Sequence, residues 1–273
     1  MIDTHAHYGD SRFEPELDEL LEKCHRAGVE KIINSLFIGN TKKIEKPLLQ
    51  TEKDSAMWKA NEKMREKLLP YEWIYFTVGI HPNSVSENHP NWVEELQKMA
   101  AEERVIAIGE TGLDYHYDDS EDTKILQDLW FRKHVELAEE TSLPLVLHMR
   151  DVGYDGVQIL RDYTLSDSGD VHCFTGDWDL AKAYLDMGLY LGLGGKITRP
   201  ENEELRDVVK RMPADRMLLE TDAPFVRPAG CTAKYNTSLE LPKVIQAIAE
   251  VRNMSFEDVI RVTTENAKRL FRL

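Results

Sequence analysis

MIDTHAHY, residues 1–8, opens the chain with a short apolar start and two histidines two apart, His5 and His7. On an extended strand, residues i and i+2 face the same side. The two imidazoles therefore project together from a strand end. Histidine is the commonest protein metal ligand, so the two are candidate ligands, although an H-x-H pair by itself is a weak motif. It also sets the test for the remaining residues, which must supply matching ligands at matching strand ends.

Outward from this stretch the chain alternates. Strand-like apolar runs cover residues 1–8, Val29–Phe37, Glu72–Ile80, Val105–Gly109, Leu143–Leu147, Asp170–Val171, Leu189–Leu193 and Met217–Glu220. Helix-like runs follow each of them, over about 13–27, 51–69, 90–103, 120–141, 154–163, 177–187 and 200–212, with two more over 238–252 and 256–270. Gly28 sits where the first helix would stop, and Pro70 ends the second. Strict β/α alternation argues for parallel strands joined by right-handed crossovers. Eight such units predict an α/β fold, the (β/α)8 TIM barrel, in place of an open doubly wound sheet. An open sheet would more often carry a glycine fingerprint after its first strand, where this chain has His-Ala-His. No internal repeat or boundary interrupts the pattern, so residues 1–273 read as a single domain.

Composition narrows the classes of function. The chain carries 34 Lys and Arg against 49 Asp and Glu, a formal net charge of −15, and 42% of its residues are hydrophobic. That describes an ordinary globular chain whose surface repels nucleic acid at long range. A polyanionic substrate would need local compensation from cations. The cysteines Cys24, Cys173 and Cys231 are odd in number and widely spaced, which fits a reducing compartment. No basic stretch followed by an apolar one marks a signal peptide, and no apolar run reaches the length of a membrane span. The expectation is a cytoplasmic protein without a membrane partner, a monomer being compatible with the sequence and the oligomeric state left open.

In a parallel barrel the carboxyl ends of the strands converge on the active site. The ends here hold His5 and His7, then His81, Glu110, His148, His172 and Asp222. Any one of them alone reads as a hydrogen-bonded structural residue, a helix cap or a surface charge. Together they occupy one end of one architecture, where buried charges demand partners or metals. The remaining histidines are read as structural or surface residues, His25 and His134 within helices, His89 and His116 in loops.

Seven segments carry a resemblance over essentially the whole chain: DTHAH at 3–7, GIHP at 79–82, GETGLDY at 109–115, LPLVLHMRD at 143–151, VHCFTG at 171–176, MLLETDAPF at 217–225 and TTENAKRLF at 263–271. In kind and order they resemble the TatD family of metal-dependent hydrolases, within the amidohydrolase-like barrels. The resemblance implies a site for two divalent metal cations (zinc, manganese, magnesium or similar). Its ligands would be His5, His7, Glu110 and Asp222 for one cation, and Glu110, His148 and His172 for the other, with Glu110 shared. It implies DNase or exonuclease-type phosphodiester hydrolysis. The chain departs from the family pattern at Asn83 after GIHP, in the Gly194–Thr198 loop, and at Lys234-Tyr-Asn236, positions expected to face the substrate.

Mixed imidazole and carboxylate ligands suit zinc or manganese better than magnesium. In a two-metal reading the cations activate a water, Asp222 is the general base beside them with Glu110, and Glu220 orients the site from behind. His81, Arg150, Lys196 and Arg227 are the expected substrate contacts, Arg150 having a salt bridge to Asp151 as its equal alternative. Cys173 is expected to point away as an inert core thiol. The partner is expected to be a nucleic acid end or a small phosphodiester. The alternative is a small-molecule amide, ester or lactone, which the acidic surface favours. A non-enzymatic binding barrel is the third reading, and the ligand set argues against it.

Overall fold

The computed structural model describes residues 1–38, 59, 61–85, 92–165 and 168–273. Among them the strands are β1 (Ile2–Ala6), β2 (Lys31–Ile38), β3 (Ile74–Ile80), β4 (Val105–Asp114), β5 (Leu145–Arg150), β6 (Gly169–Val171), β7 (Tyr190–Leu193) and β8 (Met217–Leu219). The helices are α1 (Leu17–Arg26), α2 (61–68), α3 (Trp92–Ala100), α4 (Glu121–Thr141), α5 (Asp155–Leu160), α6 (Trp178–Asp186), α7 (Glu203–Arg211), α8 (Leu241–Arg252) and α9 (Phe256–Phe271). The strands follow one another in the sheet in chain order, β1 to β8. Every pairing whose register is given is parallel, and Ala6 on β1 bridges in parallel to Ala223 just past β8. This is the connectivity of a (β/α)8 barrel.

Local chemistry accounts for the helix ends. Ser120 caps α4 by accepting from the Thr123 N–H, Asp177 caps α6 from Leu180, and Ser255 caps α9 from Asp258. Acidic residues occupy the first turns of α4 and α9, and Lys268 and Arg269 the last turn of α9, matching the helix dipole. The first helix starts at Leu17 and not at Phe13, because Phe13–Glu16 around Pro15 forms turns. The expected helix over 51–69 is described only in its later part, helical over 61–68; residues 51–58, 60, His89 and Pro90 lie outside the described residues.

Two strands differ from the sequence expectation in a way that matters. β4 does not stop at Gly109 but continues through Asp114, and β5 runs on through His148 to Arg150. Their register pairs Gly112 with His148 and Asp114 with Arg150. Gly112 permits this: a Cβ there would lie 2.3 Å from the His148 carbonyl oxygen, and its φ is +135°. A glycine that looked like a loop residue lets the two strands approach here.

The chain forms two compact units, one of residues Met1–Asn34 with Asp170–Leu273, the other Ser35–Gly169. In the first, β1 and β8 bury Ile2, Ala6, Leu218 and Leu219 and pack with α8 and α9, while β7 buries Leu191 and Leu193 and packs with α6. In the second, β3, β4 and β5 bury Phe76, Val78, Ile108, Val146 and Leu147, with α3 and α4 packed on them. Among the described residues no helix is long and apolar enough to cross a membrane.

His134 on α4 is a structural residue of the second unit, as expected. Its Nε2 accepts the Ile80 N–H at 3.0 Å, and its Nδ1–H donates to the Trp130 carbonyl at 2.7 Å. Both contacts need the neutral ring, and burial pushes its pKa down to about 4. Below pH 6.5 the unfolded chain binds a proton here that the folded chain does not, so stability falls as pH drops toward 4. Asp3, raised to about 6 by burial, works in the opposite sense over pH 4–6. Comparison with His134→Gln cancels that contribution. The stability difference between wild type and His134→Gln should shrink by about 2 kcal/mol between pH 7 and pH 5. Urea unfolding at both values measures it, and an unchanged difference would contradict the neutral assignment.

Candidate metal centre

In the unit of Met1–Asn34 and Asp170–Leu273, β1 ends beside β8. The Asp222 N–H donates to the His5 carbonyl at 2.9 Å, and the His7 N–H donates to the Ala223 carbonyl at 2.7 Å. These bonds bring His5, His7 and Asp222 to one place. The His5 and His7 Nε2 atoms are 3.1 Å apart, and Asp222 Oδ1 is 3.2 Å from His7 Nε2 and 3.9 Å from His5 Nε2. His172, just past β6, stacks on His5 with ring centroids 4.0 Å apart. His5, His172 and Asp222 form a set of potential metal ligands. Asp222 takes up a left-handed backbone, φ +56°, which aspartate tolerates better than most residues. Burial alone would raise its pKa, but the His7 hydrogen bond and the nearby His172 and His5 hold the carboxyl below the usual range.

The base of this arrangement is built from buried polar groups. Asp3 accepts from the Thr221 N–H (3.0 Å), the Thr221 hydroxyl (2.7 Å) and the Ser238 hydroxyl (2.6 Å). Ser238 also meets Tyr8, whose hydroxyl accepts the Ser238 N–H. Asn236 is buried and donates to the Thr221 and Val226 carbonyls. It therefore braces the backbone around Asp222 and does not face a substrate, contrary to the expectation for the 234–236 segment.

Glu220 is fully buried and accepts the Cys173 N–H at 2.6 Å. Cys173 follows His172 and has φ +48°, so Glu220 holds the turn that carries His172. Burial, with Asp170 and Asp222 nearby, pushes its carboxyl well above the ordinary range. Cys173 is half-buried and lies in that turn, past the end of β6, so it is not the core thiol expected. Gly192 on β7 leaves the room required: a Cβ there would stand 2.3 Å from Glu220 Oε2 and 3.0 Å from His172 Cα.

The Ser35–Gly169 unit holds a second set, His81, Asp114 and His148. His148 Nδ1 lies 2.6 Å from Glu110 Oε1, and its Nε2 lies 3.0 Å from Asp114 Oδ2. Burial would depress the pKa of this ring, yet hydrogen bonds to Asp114 and Glu110 lift it to about 9. His81 stands 3.6 Å from Glu110 Oε1 through its Nε2. Its Nδ1 accepts the Asn83 N–H at 3.1 Å. The ring is thereby a neutral donor through Nε2–H, better suited to an oxygen than to a cation.

Asp114 was missed by sequence reasoning, and it is only 1% exposed. The signal that would have found it is the alternation Glu110, Gly112, Asp114, which puts both carboxylates on one face once β4 is allowed its full length. Among the expected substrate contacts, Arg150 ends β5 with its guanidinium 5.3 Å over the Tyr117 ring. Asp151 is taken by His116 Nδ1 at 2.7 Å. Lys196 is half-buried in the turn after β7, where its carbonyl accepts from Asn202. Arg227 is exposed, and its guanidinium donates to the Ala233 carbonyl at 2.9 Å.

The donor sets fit divalent cations. Ligand atoms bound at about 2.0–2.2 Å to one zinc-like ion stand roughly 3 Å apart. The pairs His5–His7, His7–Asp222 and Glu110–His148 are spaced at 3.1, 3.2 and 2.6 Å. Buried imidazoles and carboxylates at such distances match the ligand chemistry of zinc or manganese.

Comparisons with known proteins agree with this chemistry. A family model described as TatD related DNase matches residues 2–272. The metal-dependent hydrolase YabD of Bacillus subtilis is 37% identical over 277 residues, spanning 100% of this chain and 99% of that protein. A Cronobacter sakazakii protein named 3'-5' ssDNA/RNA exonuclease TatD is 32% identical over 277 residues, spanning 99% and 97%. The crystal structure of the Escherichia coli TatD homologue YJJV superposes with a TM-score of 0.83 at 27% identity, covering 100% of this chain and 98% of that one.

Gly192→Ala should force the Glu220 side chain and the His172 turn apart. A loss of about 1–3 kcal/mol is expected from such overpacking, and a thermal scan should show it as a drop of several degrees in Tm. An unchanged Tm would show that the Glu220–Cys173 contact is not tight.

Proposed function

The chain belongs to the TatD-related DNase family and is a metal-dependent hydrolase, and from that premise we propose that it hydrolyses phosphodiester bonds at the ends of single-stranded nucleic acid. The observation that carries this reading is the end-to-end similarity to a relative named as a 3'-5' ssDNA/RNA exonuclease. His5, His7, Glu110, His148, His172 and Asp222 are proposed as ligands of two divalent cations, with Glu110 serving both. When bound, the cations would polarise the phosphoryl group and lower the pKa of a water toward neutrality.

The protein's own groups have distinct tasks in this reading. Asp222, held ionised by His7, accepts the proton of the attacking water. It passes that proton to the departing O3′ as the P–O3′ bond breaks. His81 offers its Nε2–H to a phosphate oxygen, a task its Asn83-fixed tautomer allows. Arg150, Lys196 and Arg227 are proposed to contact phosphates of the strand, supplying local positive charge against the net −15 of the chain.

That same net charge favours a second reading, hydrolysis of a small amide, ester or lactone by the same cations and the same base. The two separate in one assay series. Chelated protein is reloaded with manganese, zinc or magnesium and offered single-stranded DNA and RNA with free 3′ ends alongside small carbonyl substrates. The nuclease reading expects metal-dependent release of mononucleotides, abolished in His148→Ala and reduced about 10²–10⁴-fold in kcat by Asp222→Asn. Turnover of the carbonyl substrates alone would leave the second reading standing and remove the first.

A further inference from the structure

We propose that Asp114 is a positioning residue that selects the ligating nitrogen of His148, and that Asn83 holds Asp114 in place for that task. The proposal rests on the reading of His148 as a metal ligand. Its own content is the identity of the group behind that ligand, and of the residue that sets it.

His148 has two ring nitrogens with different neighbours. Nε2 faces Asp114 Oδ2 at 3.0 Å, and Nδ1 faces Glu110 Oε1 at 2.6 Å. Both Asp114 oxygens already accept hydrogen bonds, Oδ1 from the His116 N–H and Oδ2 from Asn83 Nδ2, so the carboxylate faces His148 as an acceptor. The proton opposite Asp114 therefore stays on Nε2. A metal ligand must offer a lone pair, which leaves Nδ1, on the Glu110 side, as the ligating atom. A metal-binding histidine backed by a carboxylate on its other nitrogen has its tautomer and ring orientation fixed.

Asp114 is not a mobile surface acid that happens to lie near the ring. Its Oδ1 accepts the His116 N–H at 3.0 Å, and its Oδ2 also accepts from Asn83 Nδ2 at 2.9 Å. The buried Gln127 on α4 clasps its backbone, accepting the Asp114 N–H at 2.8 Å and donating to the Asp114 carbonyl at 3.0 Å. Register places Asp114 two residues beyond Gly112, the partner of His148 on β5. Asn83 is thus tied to a ligand through one carboxylate.

Zinc affinity by chelator competition, zinc stoichiometry at saturation, and the imidazole nitrogen signals of ¹⁵N-histidine-labelled protein test the proposal together. Wild type loaded with zinc should show His148 protonated at Nε2 and metal-bound at Nδ1. Asp114→Ala should keep the full zinc stoichiometry but bind one equivalent about 10–100-fold more weakly, and should lose the fixed Nε2–H signature. Asn83→Ala, which leaves the carboxylate in place, should weaken the same equivalent several-fold. If Asp114→Ala does not fold, Asn83→Ala decides alone by the same two readouts.

His148→Ala separates the proposal from the reading beneath it. Loss of one zinc equivalent in His148→Ala, with wild-type affinity and ring signals in Asp114→Ala and Asn83→Ala, would overturn the role of Asp114 and leave the ligand reading intact. Full zinc binding in His148→Ala would remove the ligand reading and the proposal with it.

Discussion

Two backbone hydrogen bonds carry much of the site's architecture, Asp222 N–H to the His5 carbonyl and His7 N–H to the Ala223 carbonyl. Each is an ordinary main-chain bond between parallel neighbours. Their effect is to carry the first residues of the chain and residues more than two hundred positions later to the same strand ends. A carboxylate and two imidazoles then share a place from which water is largely excluded. Polar groups there must find partners or incur a desolvation cost. Asp3, Thr221, Ser238, Tyr8 and Asn236 form the hydrogen-bonded support that meets this demand. The site thus requires both the closing of β1 on β8 and a buried polar network behind it.

Much of this was legible in the sequence because strand periodicity and chemistry coincide. An apolar run that ends on His, Glu or Asp gives both the strand and the residue that the strand delivers. His5, His7, His148 and His172 follow that rule, and the strand order agrees with the alternation read from the chain. The rule fails where glycine intervenes. Gly109 and Gly112 made the later half of β4 look like a loop, which hid Asp114. Glycine there marks close approach to β5 and not an end to the strand. The rule also says little about supporting residues. Asn236 sits in an irregular polar segment and looked like a substrate contact, whereas its amide is used on two backbone carbonyls. Loop residues of this kind are placed by tertiary hydrogen bonds that leave no periodic signal.

The cations on the surface around these strand ends are more committed than their sequence positions suggest. Arg227 donates to the Ala233 carbonyl, and Arg12 forks onto Asp10 while covering Phe225. Arg150 packs over Tyr117. Each of them pairs a guanidinium with a local acceptor or ring in a chain of net charge −15. Long-range attraction of a polyanion is therefore weak, and selectivity for such a substrate would rest on contacts made after encounter.

Residues at the end of β8 show how one short segment can support two opposite carboxyl states. Asp222 is drawn below the usual carboxylate range by His7, His172 and His5, which outweigh its burial. Glu220, two residues earlier, is pushed well above that range by burial, with Asp170 and Asp222 adding to the effect. Glu220 supports the His172 turn by accepting the Cys173 N–H. Asp222, favoured in its ionised form, can accept a proton. Environments that drive two carboxyls apart in this way commonly assign acid and base roles. Here they divide support from reaction, Glu220 holding a backbone turn while Asp222 stands among the imidazoles.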